Sequence, residues 1–219
     1  RVNELPAYAD IQTLLYGIGF KNEQLDYRFN PRKGFRFNVN TSAGFKNIRK
    51  NEKLNPAVYE NLELKTAQYT YDYSSDFFLP VKRRSAVNIG IEGAGIIGKN
   101  IFVNELYRIG GLKSLRGFNE ESIFASSYHI SSLEYRFILD QNSYWYAFFD
   151  GAYYENKSIN ARKVNNGKYV YDTPFGFGTG VSFETKAGIF SINYALGREF
   201  SNPLDIRSAK IHFGIVSIF

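Results

Sequence analysis

The sequence lacks cysteine and methionine, and each absence narrows what the chain can be. With no Cys in 219 residues, disulfide bonds and thiolate metal sites are excluded. No run of about eighteen apolar residues occurs, which excludes a transmembrane helix. Because no Met occurs and no signal peptide precedes Arg1, we expect a processed or truncated piece of a longer protein.

Aromatic residues and glycine are abundant instead. The chain has 17 Tyr, 20 Phe and 19 Gly, against 6 Pro, which favours an all-β protein. An outer-membrane barrel has this composition, with aromatics at its interfaces and glycine in a crowded interior, although a soluble β-sandwich can share it. The net charge of +6 is scattered, and Lys82-Arg83-Arg84 is interpreted as a polar turn, so no nucleic-acid partner is predicted.

Nine segments predict strands, because apolar and polar residues alternate along them at period two. The clearest are residues 35–45, 87–92, 132–139, 175–184 and 190–196. Residues 14–27, 62–73, 144–154 and 209–219 complete the set. The first of these changes parity near Asn22, which suggests a bulge or a strand end, and residues 62–73 change parity near Ala67.

The connections between these strands alternate in length. Short ones lie at 30–34, 80–84, 140–142 and 185–187, and long ones at 46–61, 98–126, 155–173 and 199–208. Short periplasmic turns and long extracellular loops are typical of outer-membrane barrels, which places the C-terminus in the periplasm. Since bacterial barrels have even strand numbers, nine strands should not close alone and further strands are expected upstream.

The last segment has one apolar and one polar face, which suits a wall between lipid and water. Its apolar face carries Ile211, Phe213, Ile215 and the terminal Phe219, and its other face carries Lys210, His212 and Gly214.

One long loop contains Gly110-Gly111 followed by Leu115-Arg116-Gly117-Phe118. This resembles the Gly-Gly…(Val/Leu)-Arg-Gly-(Phe/Tyr) signature of the BamA/TamA superfamily of outer-membrane insertases and transporters. The resemblance implies that loop 98–126 is extracellular and folds back into the barrel lumen. It also implies that Arg116 contacts acidic residues on the next two strands, where Glu134 and Asp150 occur. A buried guanidinium needs such partners, and its planar fork suits carboxylates.

Other residues carry the same resemblance along nearly the whole chain. Asp26 and the turn Asn30-Pro31-Arg32-Lys33-Gly34 are similar to the family's Asp…Pro-Thr-x-Gly turn. The resemblance aligns the chain with the last nine of sixteen strands, so residues 1–219 are expected to be the C-terminal part of the barrel. The first seven strands and the periplasmic POTRA domains would then be absent. The terminal strand, with Ile211, Phe213, Gly214, Ile215 and Phe219, would form one side of a weak seam with the first strand.

The function implied by the resemblance is insertion and folding of β-barrel proteins into the bacterial outer membrane through that seam. The implied partners are outer-membrane lipids, unfolded β-barrel clients, and accessory lipoproteins or periplasmic subunits. No enzyme activity, cofactor or metal is predicted. His129 and His212 are the only histidines, and neither belongs to a recognisable catalytic set.

Three alternatives remain open. A two-partner secretion transporter shares the fold and the Arg-Gly-Phe loop but exports a soluble polypeptide. A passive pore would conduct steadily without assembling clients. A membrane anchor for a fused surface enzyme would show activity only in a longer chain.

Overall fold

The computed structural model describes residues 5–60, 62–186, 188–200 and 202–216, most of which form antiparallel strands. The strands are β1 (Asp10–Leu25), β2 (Gly34–Arg49), β3 (Lys65–Lys82), β4 (Ser85–Gly98), β5 (Tyr107–Ile109), β6 (Ile123–Ala125), β7 (Ser127–Asp140), β8 (Ser143–Asn156), β9 (Val170–Asp172), β10 (Phe175–Thr185), β11 (Gly188–Arg198) and β12 (Lys210–Val216). Helical structure comprises α1 (Ile159–Val164) and 3₁₀ turns at Pro56–Tyr59, Val103–Glu105 and Ile206–Ser208. No helix among the described residues has the length and apolarity to cross a membrane.

The main sheet follows chain order, β1-β2-β3-β4-β7-β8-β10-β11-β12, with β9 added beside β8. Each of the nine predicted strand segments overlaps one strand of this path, which confirms the all-β antiparallel prediction, although β3 (Lys65–Lys82) begins and ends later than the predicted 62–73. Most of these strands exceed the nine to eleven residues, approximately, that a tilted strand needs to cross a membrane. In the described part of the chain, β1 and β12 are the two edges of an open sheet.

The sheet has one apolar and one polar face, because neighbouring strands keep their alternation in phase. The apolar face presents exposed side chains such as Tyr16, Ile18, Phe45, Leu133, Phe149 and Ile211. On the polar face Arg36 Nε donates to Asp76 Oδ2 at 2.7 Å, and Asn40 donates to Asp72 at 2.7 Å. These two faces are called the apolar face and the polar face below.

Two expected irregularities do not occur. The register of β1 with β2 runs unbroken from Asp10 to Leu25, so there is no bulge at Asn22, which is simply a polar residue on the apolar face. The register of β3 with β2 is also continuous through Ala67. Leu62 and Leu64 precede β3 and pack on a small core of buried loop residues instead.

The connections define two ends of the sheet. The short-turn end comprises residues 26–33, 83–84 and 141–142, and the long-loop end comprises residues 50–64, 99–126, 157–169 and 199–209. At the short-turn end Asp26 Oδ1 accepts hydrogen bonds from the backbone N–H groups of Arg32 at 2.9 Å and Lys33 at 3.1 Å. Gly34 follows with φ +118°, a conformation that favours glycine, so this acidic residue and this glycine shape the turn.

Candidate functional site

The long loop at residues 99–126 folds over the polar face of the sheet. Its strands β5 and β6 pair as a short hairpin, and apolar side chains of the loop pack against β7 and β8. The shared core consists of Ile109, Leu115, Phe118, Ile123, Ala125, Ile130 and Tyr154. Apolar burial therefore supports the loop's position alongside its charged contacts.

Arg116 forms a two-pronged contact with Asp150 of β8. Its Nε donates to Asp150 Oδ2 and its Nη2 donates to Asp150 Oδ1, both at 2.7 Å. The backbone N–H of Arg116 also donates to Oδ2, at 3.2 Å. The carboxylate thus holds both the side chain and the main chain of the loop, in the parallel geometry for which the guanidinium fork is suited.

Glu134 of β7 extends this contact into a chain of four charges. Arg116 Nη1 donates to Glu134 Oε2 at 2.5 Å, and Arg136 Nε donates to Glu134 Oε1 at 2.7 Å. The order Asp150, Arg116, Glu134, Arg136 alternates in sign, so the group is neutral as a whole. The guanidinium carbon of Arg116 also lies 3.6 Å from the ring centre of Phe148, within cation–π range.

Burial makes this network sensitive to the loss of one member. The side chain of Asp150 is 0% exposed and that of Arg116 is 12% exposed. Burial alone would lower the pKa of Arg116, but hydrogen bonds and charges from Asp150 and Glu134 outweigh it and raise that pKa above its ordinary value. Removing one partner from such a pair costs about 3–5 kcal/mol, because an uncompensated charge stays buried.

Glycines let the loop backbone lie against β10 and β11. Gly176 and Gly197 are paired across these strands. A Cβ atom at Gly176 would lie 1.8 Å from Arg116 O, and one at Gly197 would lie 2.6 Å from Gly117 O. Gly117 itself has φ +96°. Any larger residue at these three positions would push the loop away from the sheet.

The same loop reaches the edge strand β12. The backbone N–H of Gly117 donates to His212 Nε2 at 3.4 Å, and His212 Nδ1 lies 3.4 Å from Glu120 Oε1. Leu112 packs so closely on Gly214 that a Cβ there would lie 2.2 Å from Leu112 Cδ2. The loop therefore spans the polar face from β7 to β12.

The family model described as the Omp85 superfamily domain matches residues 7–219. The chain belongs to the Omp85 superfamily. The expected membership of the BamA/TamA group is thereby confirmed, and the chain belongs to a family of outer-membrane β-barrel proteins. Omp85 proteins are generally non-enzymatic insertases and transporters. Membership of the family indicates a role in outer-membrane β-barrel assembly or translocation, without specifying which of the two. Comparison with curated proteins gives no match.

The structure brings together the Omp85 residues that the sequence singled out in the loop and on β7 and β8. Arg116 contacts both Glu134 and Asp150, Gly117 has the left-handed backbone, and Phe118 is buried in the loop core. Their role as a lock on the loop remains a prediction.

Several contacts around Arg116 escaped sequence reasoning. Arg136 and Phe148 lie on the polar face, and the alternation of residues along β7 and β8 could have predicted that they share this face with Glu134 and Asp150. Gly176 also lies on the polar face, but nothing in its strand indicates that a Cβ atom there would lie 1.8 Å from Arg116 O of the loop.

The strand β12 presents the predicted apolar residues outward. Ile211, Phe213 and Ile215 are 61%, 72% and 58% exposed on the apolar face, whereas His212 is buried on the other. Gly214 lies under Leu112. Phe219 lies outside the described residues.

A second buried ion pair anchors the stem of the Omp85 loop. Lys46 Nζ of β2 lies 2.9 Å from Glu105 Oε1, and the Lys46 side chain is 0% exposed. The same ammonium donates to Asn100 O at 3.2 Å, while Glu105 Oε2 accepts from the backbone N–H of Phe102 at 2.9 Å. The loop is thus tied by charge at both its stem and its tip.

The two histidines take part in structural contacts. No group of three His, Asp or Glu side chains in the described ranges is arranged to hold a metal ion. His129 lies on the apolar face with its Nδ1 2.8 Å from Tyr73 Oη, and His212 contacts the loop. Each histidine thus has a structural partner.

Proposed function

We propose that this Omp85 chain supplies about the last nine of sixteen strands of a barrel that inserts and folds β-barrel proteins into the outer membrane. The observation that carries the proposal is the two-sided environment of β12, whose polar face contacts the Arg116 loop and whose apolar residues face outward. In the described sheet β12 pairs with β11 on one side only. An unpaired strand edge offers a row of backbone donors and acceptors that an incoming client strand can use.

The side chains of β12 suit a seam that opens into the membrane. Ile211, Phe213 and Ile215 face the apolar side, so a client strand paired there would have its own apolar residues directed to lipid. On the polar side, His212 and Gly214 contact the loop that carries Arg116. The loop would therefore hold β12 in place from within while its outer edge stays available.

The proposal includes an orientation and a set of partners. Short turns would lie in the periplasm and long loops outside the cell, with the C-terminus periplasmic. Client strands would arrive from the periplasm, delivered with the help of periplasmic subunits or accessory lipoproteins. The work is non-covalent, since strand pairing and lipid burial supply the driving force.

The test is site-specific crosslinking in the full-length protein during client assembly. Ile211→Cys places a reactive group at the edge, and Leu133→Cys places one at a comparably exposed apolar position on the central strand β7. The described chain has no cysteine of its own, so each label is specific within it. We expect client crosslinks from position 211 and none from position 133.

Crosslinks of equal yield at both positions, or at neither during active assembly, would contradict the seam. A soluble exported polypeptide crosslinked from the polar face, with no strand captured at position 211, would favour the secretion transporter.

A further inference from the structure

The first two short turns and the last residue of β3 together carry six basic residues. They are Arg28, Arg32, Lys33, Lys82, Arg83 and Arg84. The sequence alone treats residues 82–84 as an isolated polar turn. In the fold, the turn at 26–33 lies beside it, so the two basic segments form one surface at the short-turn end.

The six cations of this surface form no ion pair with another residue of the described ranges, although the carboxylates of Asp26 and Asp140 lie among them. The two nearby acids have other partners: Asp26 Oδ1 accepts backbone hydrogen bonds from Arg32 and Lys33, and Asp140 Oδ1 accepts one from Gln141 at 2.8 Å. Three arginines against two aspartates leave the site with a formal charge of +1, so it can still attract an external anion.

A cavity lies among them. It has a volume of about 660 Å³ and is lined in part by Arg32, Arg83, Arg84 and Asn30. Asn30 is 1% exposed, and its Nδ2 donates to Gln141 O at 3.0 Å. Its Oδ1 is buried without a hydrogen-bond partner among the described residues. The cavity thus combines three guanidinium groups, two carboxylates and one acceptor without a partner, in the size range of small-ligand sites.

The position of this cavity beside the apolar face favours a lipid ligand. Leu79, Val81 and Leu139 are 51%, 54% and 54% exposed on the apolar face, immediately next to the basic turns. In an outer-membrane barrel that face contacts lipid tails, so the adjoining cations lie at headgroup depth.

We propose that this cavity binds the headgroup of an anionic glycerophospholipid. Arg32, Arg83 and Arg84 would contact the phosphodiester, for which guanidinium groups are well suited. Asn30 Oδ1 would accept a hydrogen bond from a headgroup hydroxyl. The assignment to the inner leaflet rests on the proposed orientation, whereas the binding itself requires only that the short-turn end meets a membrane surface.

The test compares two lipids on the purified full-length protein by native mass spectrometry. Dioctanoyl phosphatidylglycerol carries the anionic phosphodiester and hydroxyl donors, and dioctanoyl phosphatidylcholine carries no net charge and no donor. The variant is Arg83→Gln/Arg84→Gln, and the control is Lys163→Gln/Lys168→Gln, which removes the same charge at the long-loop end. Both pairs lie on exposed segments, and heat-modifiable gel mobility checks that each protein is folded.

We expect the wild type to prefer phosphatidylglycerol and the arginine variant to lose that preference by about 25-fold, since each basic side chain near an anionic membrane surface is worth about fivefold. The lysine control should retain it. Equal behaviour of the two variants, or no preference in the wild type, would overturn the proposal.

Two further arms identify the source of the anion. Displacement of phosphatidylglycerol by inorganic phosphate at equal concentration would show a soluble-anion site and overturn the lipid assignment. Loss of a co-purifying periplasmic subunit in the arginine variant, with lipid preference unchanged, would show a protein interface and overturn it too. Because lipid preference is measured without clients, the result stands apart from the crosslinking test of assembly.

Discussion

The substitution Asp150→Asn should release the long loop while leaving the sheet intact. Asparagine fills nearly the same space, but the charge that balances Arg116 is lost and only Glu134 remains, shared with Arg136. The uncompensated charge is buried only while the loop is docked, since an open loop lets water solvate Arg116. The penalty therefore falls on the docked state alone.

The size of the effect follows from burial. The side chains of Asp150 and Arg116 are 0% and 12% exposed. Asp150→Asn should therefore lower the stability of the docked loop by an amount near the lower end of the range for a broken buried pair, which is about 3–5 kcal/mol. A loss of about 3 kcal/mol corresponds to a population of open loop roughly 100-fold larger. Hydrogen exchange of the peptide covering residues 112–118 in the full-length protein measures that population directly.

Asp76→Asn is the matched control on the same face. Its partner Arg36 is 46% exposed, so that ion pair is worth at most about 1 kcal/mol. Hydrogen exchange at residues 112–118 should be unchanged in the Asp76→Asn variant. If Asp150→Asn changed exchange by less than about threefold, or if both variants changed it equally, the charge network would not hold the loop and its apolar core would.

The remaining predictions concern close approach, the second anchor and the turn. Gly176→Ala should displace the loop, because the new Cβ would lie 1.8 Å from a loop carbonyl oxygen. Gly151→Ala should be tolerated, because its Cβ would meet only a ring carbon at 3.7 Å. Hydrogen exchange at residues 112–118 is the measurement, and equal exchange in the two variants would refute the steric argument. Lys46→Met alone should lower the free energy of unfolding by about 3–5 kcal/mol, because the Glu105 carboxylate stays buried without its partner. Adding Glu105→Met should restore most of that free energy, as measured by denaturant unfolding. A double variant as unstable as the single one would contradict this prediction. Asp26→Ala should destabilise the turn by about 1–3 kcal/mol, and Asp26→Asn by less, because the amide oxygen can still accept the backbone hydrogen bonds. Hydrogen exchange at residues 27–33 should be faster in the Ala variant. Identical exchange in the two variants would count against the acceptor role of Asp26.

The strands could be predicted from sequence because their signal is local. Alternation at period two is visible in any ten residues, and it fixes which side chains share a face. Phe35 to Phe45 and Phe175 to Glu184 are examples in which the printed sequence is enough. The bulge or strand end suggested at Asn22 does not occur, because a hydrogen-bonded ladder continues through a residue of unfavourable polarity when its neighbours hold the register. The change of parity near Ala67 has another cause, since Leu62 and Leu64 lie outside β3.

The tip of the candidate site was partly predictable. The contact of Arg116 with Glu134 and Asp150 could be predicted from the sequence motif, because a buried guanidinium needs carboxylate partners. Arg136 and Phe148 complete that group from the same two strands, and only the register that sets β7 against β8 shows that they do.

The sequence by itself determined the strands, their faces and the alternation of short turns with long loops, because each depends on residues that are neighbours in the chain. Tertiary structure alone decided that Lys46 pairs with Glu105, that Gly176 and Gly197 admit the loop, and that Arg32 meets Arg83 around one cavity. These contacts join segments tens of residues apart. Side-chain volume and charge select among such pairings only after the sheet has brought the segments together, so no local pattern records them.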